Sequence, residues 1–320
     1  YQFGVTKKGQ PYARLRLGDS SGSIAGICWD IPDQAADIVR GGKFILARGL
    51  VRVYQGALQL NVESLGAAEL TDGEIASFLP TVDADIEVLF ARLVEILGEI
   101  ENEPLSNFVG AFLSDEALVA DFKAAPAAAG MHHAYIGGLL EHTTSMAEAA
   151  VKLCEHYEFL NRDLLLTGVL IHDIGKVREF NWKNGIEYSD AGRLVGHIAI
   201  GIGMIDAQAG SVEGFPGELL DILKHYILSH HGVPEYGAIR APMTAEALAL
   251  HYIDNLDAKM AAWQRAVEDE AAGGGNWTGY EKMFESYLYK GDVLSGGDTE
   301  GQREAEKPDS PSGSREDSLF

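Results

Sequence analysis

Hydrophobic and polar positions along this chain change period once, near residue 83. Before that point they alternate. Over residues 11–17, Ala13, Leu15 and Leu17 take one side while Tyr12, Arg14 and Arg16 take the other, the pattern of a strand with one buried face. The turn residues Gly18-Asp19-Ser20-Ser21-Gly22 follow, and residues 24–29 complete a predicted hairpin. Alternation resumes over residues 44–54, with Ile45, Ala47, Val51 and Val53 expected inward and Phe44, Arg48, Arg52 and Tyr54 outward. A Gln55-Gly56 turn then leads to Leu58, Leu60 and Val62. Successive antiparallel strands with one apolar face predict a small barrel, closed or partly open. Trp29 is assigned to its core or rim. No Met precedes Tyr1, which falls in the middle of a strand, so the first strand is expected to be incomplete.

Beyond residue 83 the period becomes 3.6. Ile86, Leu89, Phe90, Leu93, Ile96, Leu97 and Ile100 form one stripe, and further amphipathic runs cover residues 107–122, 136–157, 162–171, 197–207, 216–230, 244–267 and 277–289. The fold class expected is therefore multidomain, a small β-barrel at residues 1–70 followed by an all-α bundle at residues 84–290. The stretch 66–82 carries Gly, Ala, Thr and Pro, and residues 71–83 read as a linker. Residues 291–320, a run of Gly, Ser, Asp, Glu and Pro, lack the apolar surface to order themselves and read as a flexible acidic tail.

Composition narrows the class. With 320 residues, 46% of them hydrophobic, the chain can bury at least one sizeable core. No run approaches the roughly 18 apolar residues of a membrane span, and no signal pattern opens the chain, so a cytoplasmic protein is expected. Cys28 and Cys154 lie far apart in apolar surroundings and read as reduced thiols. The net charge of −23 argues against a general nucleic-acid coat. It is unevenly spread: residues 1–70 carry eight Lys or Arg against six Asp or Glu, a net of +2, which leaves −25 for the rest. The basic residues concentrate in the β domain.

The chemistry lies in the histidines. His132-His133, His142, His172-Asp173, His197 and His230-His231, followed by Asp254 and Asp257, fall on predicted helices or at their ends. Any one of these could be a capping or surface residue. Together, an adjacent His-Asp, a glycine-flanked His, a His-His-Gly and an Asp in mid-helix form a set that helices can aim at one interior point. Neutral imidazoles and carboxylates so gathered bind Mn, Fe, Co, Ni or Zn. No Gly-x-Ser-x-Gly elbow, Walker A loop or paired reactive Cys and His accompanies them.

The order His142, Ile171-His172-Asp173-Ile174-Gly175-Lys176, Gly196-His197, His230-His231-Gly232 and Asp254-Asn255-Leu256-Asp257-Ala258 resembles the HD superfamily of metal-dependent phosphohydrolases in its two-metal variant. The stretch His132-His133-Ala134-Tyr135-Ile136-Gly137-Gly138-Leu139-Leu140-Glu141-His142-Thr143 narrows this to a resemblance to the YhaM-type 3′→5′ exoribonucleases, which join an OB-fold to an HD domain. Both halves match in order over roughly residues 1–290.

This resemblance implies that His142, His172, Asp173 and Asp254 hold one divalent ion, and that Asp173 bridges to a second held by His197 and His230, with His231 assisting. It favours Mn, although the same ligands bind Fe, Co, Ni or Zn. Two ions about 3.5–4 Å apart lower the pKa of a shared water and stabilise the leaving oxygen, so no side-chain nucleophile is needed. Lys176 then neutralises a phosphate oxygen or protonates the leaving group, the alternative being a lysine that caps a helix C-terminus. His133, nine residues before His142, contacts substrate or steadies its loop. Asp254 is the expected ligand, with Asp257 behind it. Tyr12, Arg14, Arg16, Phe44, Arg48, Arg52 and Tyr54, aromatic and cationic on one sheet face, suit the stacking of bases and the tracking of a single strand. The implied substrate is single-stranded RNA, with single-stranded DNA not separated from it by any residue. Hydrolysis of small nucleotides, and a metal-stabilised binding module without turnover, stay open, as does self-association.

Overall fold

The computed structural model describes residues 1–19, 22–41, 44–54, 57–68, 70–71, 74, 78–128, 135–182, 185–270 and 275–291. They divide into two compact units, Tyr1–Arg265 and Ala266–Phe320.

The first unit opens with five strands, β1 (Gln2–Val5), β2 (Pro11–Asp19), β3 (Gly22–Trp29), β4 (Ile45–Tyr54) and β5 (Ala57–Ala67), with helix α1 (Asp33–Gly41) between β3 and β4. Their order is β1-β2-β3-β5-β4. All neighbours pair antiparallel except β3 and β5, which run parallel over Ala25–Gln59, Gly26–Leu60 and Ile27–Asn61. This is a five-stranded, partly open barrel-like sheet of the OB type, and among the described residues no pairing joins β4 to β1. Ala13, Leu15, Cys28, Ile31, Ala36, Val39 and Val62 are buried as its core. The inward set expected on β4 holds only at Ile45 and Ala47. Val51 and Val53 are 55% and 72% exposed; Val53 pairs with Leu58, beyond the last β3–β5 pair at Gln59.

The second half of this unit is helical: α2 (Ile86–Leu97), α3 (Glu103–Ser114), α4 (Glu116–Ala124), α5 (Gly138–His156), α6 (Arg162–Ile171), α7 (Lys176–Glu179), α8 (Asp190–Leu194), α9 (Gly196–Ser211), α10 (Gly217–Ser229) and α11 (Ala245–Asp269), the last crossing into the second unit. Local side-chain caps set several helix starts: the side chains of Asp85, Asn102, Asp115, Asn161 and Ser189 each accept a backbone N–H from the first turn that follows. Asp115 divides the single run expected over 107–122 into α3 and α4. Leu93, Phe108, Phe122, Leu139, Leu165, Tyr226 and Leu250 are among the almost fully buried residues at the centre, each worth about 1.5–3 kcal/mol of burial for a large aliphatic or aromatic side chain. The linker expected at 71–83 is packed at its end: Leu79 and Val82 are buried, and Val82 donates to the Ile136 carbonyl while Ile136 donates to that of Pro80.

Two short hairpins correct the all-helical expectation. β6 (Phe180–Asn181) pairs with β7 (Glu187–Tyr188), and in the second unit β8 (Trp277–Glu281) pairs with β9 (Ser286–Tyr289) where a helix was expected. The aromatic and β-branched content of this segment favours strands. Thr278 and Leu288 turn inward, joined by a hydrogen bond from the Leu288 N–H to the Thr278 hydroxyl at 2.9 Å, while the cross-strand pairs Trp277–Tyr289 and Tyr280–Tyr287 face outward. The tail expected at 291–320 lies outside the described residues apart from Gly291. No helix among the described residues is long and apolar enough to cross a membrane.

One close approach sets the helical packing. A Cβ on Gly175 would lie 1.9 Å from the His197 carbonyl oxygen and 2.8 Å from the Gly201 nitrogen, so only glycine lets the start of α9 rest on the turn that follows His172-Asp173. Gly175→Ala is expected to cost about 1–3 kcal/mol of stability by overpacking. It also displaces His197, whereas Gly203→Ala, in open space on the same helix, leaves stability unchanged or raised. Thermal melting of both variants beside the unaltered protein checks this; equal melting temperatures for the two would contradict it.

Candidate metal centre

Five helices deliver side chains to one point. His142 lies in the first third of α5, His172 and Asp173 directly follow α6, and His197 is the second residue of α9. His230 and His231 directly follow α10, and Asp254 and Asp257 lie on α11. His142, His172, Asp173 and His230 are only 1–3% exposed, a burial that ionisable groups accept only when paired or bound to metal.

Asp173 is the centre of this arrangement. Its Oδ1 lies 3.6 Å from both His197 Nε2 and His230 Nε2. Its Oδ2 lies 3.3 Å from His172 Nε2, 4.0 Å from His142 Nε2 and 2.5 Å from Lys176 Nζ. Asp254 Oδ1 approaches His142 Nε2 at 3.3 Å, and His231 Nε2 stands 3.2 Å from His197 Nε2. The donor atoms thus fall into two groups, His142, His172 and Asp173 in one and His197, His230 and His231 in the other, each compact enough to hold one ion.

The tautomers follow from the partners. The Nδ1–H groups of His172 and His230 donate to the carbonyls of Val169 and Ile227, each at 2.8 Å. A carbonyl only accepts, so the proton sits on Nδ1 and the inward Nε2 carries a lone pair. His142 Nδ1 meets Asp257 Oδ2 at 2.6 Å and His197 Nδ1 meets Glu179 Oε1 at 3.2 Å, the same arrangement with carboxylate partners. Glu179 also accepts the His197 backbone N–H at 2.9 Å. Such partners orient metal-binding imidazoles and raise their basicity.

Two buried polar atoms facing each other, Asp173 Oδ1 and His230 Nε2, have no hydrogen-bond partner. A carboxylate oxygen and an imidazole lone pair cannot satisfy each other; a cation satisfies both, and the donor set fits a divalent one. The electrostatics agree. Burial opposes charge on His142, yet its bonds to Asp254 and Asp257 lift its pKa to about 9, a measure of how strongly the pocket draws positive charge toward Nε2. Burial pushes Asp173 toward its neutral form, but Lys176, His172 and His197 outweigh it and hold the carboxyl well below the usual range. Burial favours the neutral, ligating form of His230 and His231.

The structure thus brings together His142, His172, Asp173, His197, His230, His231 and Asp254. Lys176 is the first residue of α7, with its Nζ against Asp173. His133 lies outside the described residues. Glu179 was missed, because nothing in its local sequence links it to a histidine 18 residues further on. On the sheet, register places Arg16, Ala25, Gln59 and Arg52 in one row across four strands and Tyr12 opposite Trp29, with Arg14, Arg48 and Tyr54 exposed on the same face. Trp29 is 57% exposed with its ring centroid 5.4 Å from that of Tyr12, so it shares this outer face and is not a core residue. The Tyr12 ring lies where a Cβ on Gly4 would be, 2.5 Å away. Phe44 leaves the outward set: it is half-buried and packs edge-on against Phe78.

A helical domain with a buried His-Asp pair at the focus of further histidines defines an HD protein, and the family model described as HD domain matches residues 139–259. The chain is similar to "3'-5' exoribonuclease YhaM" of Geobacillus sp. (strain WCH70), 36% identical over 267 residues that cover 83% of this chain and 81% of the relative. It is also similar to the proteins of that name from Bacillus velezensis, 35% identical over 266 residues, and Bacillus subtilis (strain 168), 34% identical over 266 residues; each match covers 83% of this chain and 84% of the relative. This protein belongs to the YhaM exoribonuclease family. No solved structure matches the chain.

Replacing an orienting carboxylate with its amide keeps the shape and weakens the pull on the ligand. Asp257→Asn and Glu179→Gln are each expected to lower divalent-metal affinity about 10–100-fold, read by calorimetric titration of Mn into the metal-stripped protein. Unchanged affinity in both would deny these carboxylates their role.

Proposed function

We propose that this protein is a metal-dependent 3′→5′ exoribonuclease that hydrolyses single-stranded RNA from its 3′ end to nucleoside monophosphates. The observation that carries this reading is Asp173, a buried carboxylate that presents one oxygen to His197 and His230 and the other to His142 and His172. In this reading His142, His172, Asp173 and Asp254 hold one divalent ion and His197, His230 and His231 a second, with Asp173 between them. When bound, such a pair activates water at neutral pH and stabilises charge on the leaving oxygen.

The remaining residues act around it. Asp257 and Glu179 fix the imidazole tautomers. Burial disfavours the Lys176 ammonium, but Asp173 more than offsets this and holds its pKa above that of an ordinary lysine, so Lys176 acts as a standing positive charge that steadies Asp173 and meets a phosphate oxygen, not as a proton donor. Residues 1–70 supply the RNA-binding half: Tyr12 and Trp29 offer stacking surface, and Arg14, Arg16, Arg48 and Arg52 offer charge to the backbone. Mn is the expected metal and the cytoplasm the expected compartment.

The test is incubation of 5′-labelled single-stranded RNA, matched DNA and free nucleotides with metal-stripped protein plus Mn, Fe, Co, Ni or Zn. A ladder that shortens from the 3′ end on RNA, and is absent from a His172→Ala, Asp173→Ala double variant and in excess chelator, is the expected result. Hydrolysis of free nucleotides with the oligonucleotide intact would move the function to small-molecule phosphohydrolysis. No turnover with any metal would leave a binding module.

Tyr12→Ala and Trp29→Ala are each expected to raise KM for a long RNA with little change in kcat, since about 1–3 kcal/mol of base stacking is lost per ring. Steady-state kinetics against RNAs of increasing length checks this; a fall in kcat without a rise in KM would contradict it.

A further inference from the structure

Helix α11 carries Asp254 and Asp257 to the metal centre and continues beyond them. Arg265 lies eleven residues after Asp254, which at 100° and 1.5 Å per residue returns to within about 20° of the same face some 16 Å along the helix. From Asp257 the rise is about 12 Å. Arg265 is exposed, and no described carboxylate pairs with it, although the chain carries 48 acidic residues against 25 basic ones.

Its guanidinium lies 6.0 Å from the centroid of the Tyr135 ring. That ring is anchored: the Tyr135 hydroxyl donates to Glu141, the neighbour of His142 on α5, and the next residue, Ile136, is tied by backbone bonds to Pro80 and Val82. The segment that leads into α5 and the helix that carries Asp254 therefore approach each other at an arginine placed over an aromatic ring. A guanidinium held in this way keeps its flat donor fork open to a phosphate.

Resting on the exoribonuclease reading above, the geometry points to a binding site at Arg265 and Tyr135 for a backbone phosphate of the substrate strand, on the 5′ side of the scissile one. The direction follows from the reaction. A strand cleaved at its 3′ end has nothing beyond the departing nucleotide, so a cation displaced outward from the metal ligands meets only the part still to be degraded. Arg265 supplies the charge and Tyr135 the fixed surface that preorganises it. Arg265 makes no contact with the reacting atoms and acts as a positioning residue.

The test compares the full chain with Arg265→Ala and Arg265→Lys, on a long single-stranded RNA and on bis(p-nitrophenyl) phosphate, a diester with no upstream phosphate, in Mn over a range of salt. Arg265→Ala is expected to raise KM for RNA roughly tenfold relative to any change on the small diester, the loss of one charge-assisted contact. Its slope of log KM against log salt should shrink by about 0.7, one phosphate of a single strand. Arg265→Lys is expected to keep the salt slope and recover part of the KM, since the charge remains while the planar stack does not. Equal losses on RNA and on the small diester, or a KM and salt slope for Arg265→Ala equal to those of the unaltered enzyme, would overturn the inference. An unaltered enzyme that turns over the small diester and leaves RNA intact would overturn the exoribonuclease reading itself, an outcome distinct from a failure of the arginine alone.

Discussion

A carboxylate buried as deeply as Asp173 is stable in its charged form only where positive charge meets both of its oxygens. Lys176 meets one of them at 2.5 Å, and the other, Oδ1, faces two imidazole nitrogens without a hydrogen bond. Much of the helical domain's arrangement can be read as what this requires. Four imidazoles converge with Nε2 inward, and each is held by an acceptor behind it: the carbonyls of Val169 and Ile227, and the carboxylates of Asp257 and Glu179. Asp173, Asp254, Asp257 and Glu179 stand against the single ammonium of Lys176, so the cluster carries excess negative charge that divalent cations balance.

The fold meets the geometric side of this requirement by placing ligands at helix ends. His172 and His230 each donate to the carbonyl three residues back, a bond available just where a helix finishes, which locks the ring without a partner from elsewhere in the chain. His197 enters from the opposite sense, at the start of α9, and reaches the cluster because Gly175 has no side chain to hold that helix off. His142, Asp254 and Asp257 lie deeper within their helices, and there the 3.6 period aligns them.

What could be read in the sequence follows the range of the interaction involved. The His-Asp, His-His-Gly and mid-helix Asp signals are local, so the residues that converge on Asp173 were legible without coordinates, as were the β2–β3 hairpin and the longer helices, whereas α1, α7 and α8 were not. Features depending on distant partners were not. Glu179 matters because of His197, the break at Asp115 depends on a single capping side chain within an unbroken apolar run, and the β8–β9 hairpin imitates a helix in its spacing while its aromatic content argues for strands. Trp29 lies between these cases. The turn at residues 18–22 already pairs Asp19 with Gly22, and counting back along both strands puts Trp29 opposite Tyr12, so its outward position was available from register and was obscured by the general expectation that tryptophan is buried.

Charge distribution links the two halves of the protein to one task. A chain of net charge −23 repels a polyanion over most of its surface, so a strand is drawn only where that repulsion is locally reversed. In the function proposed above, the β domain, with its net of +2 and with Arg16 and Arg52 in one cross-strand row, is one such place and the metal centre is another. An acidic surface elsewhere then works in favour of the reaction, because it disfavours unproductive contacts along the RNA and leaves the product, a short dianion, with little reason to stay. Affinity in such an enzyme rests on a few cations, each accordingly carrying a large share of the salt dependence. For that reason an arginine that pairs with no acidic residue among the described ones has more meaning here than it would on a basic protein.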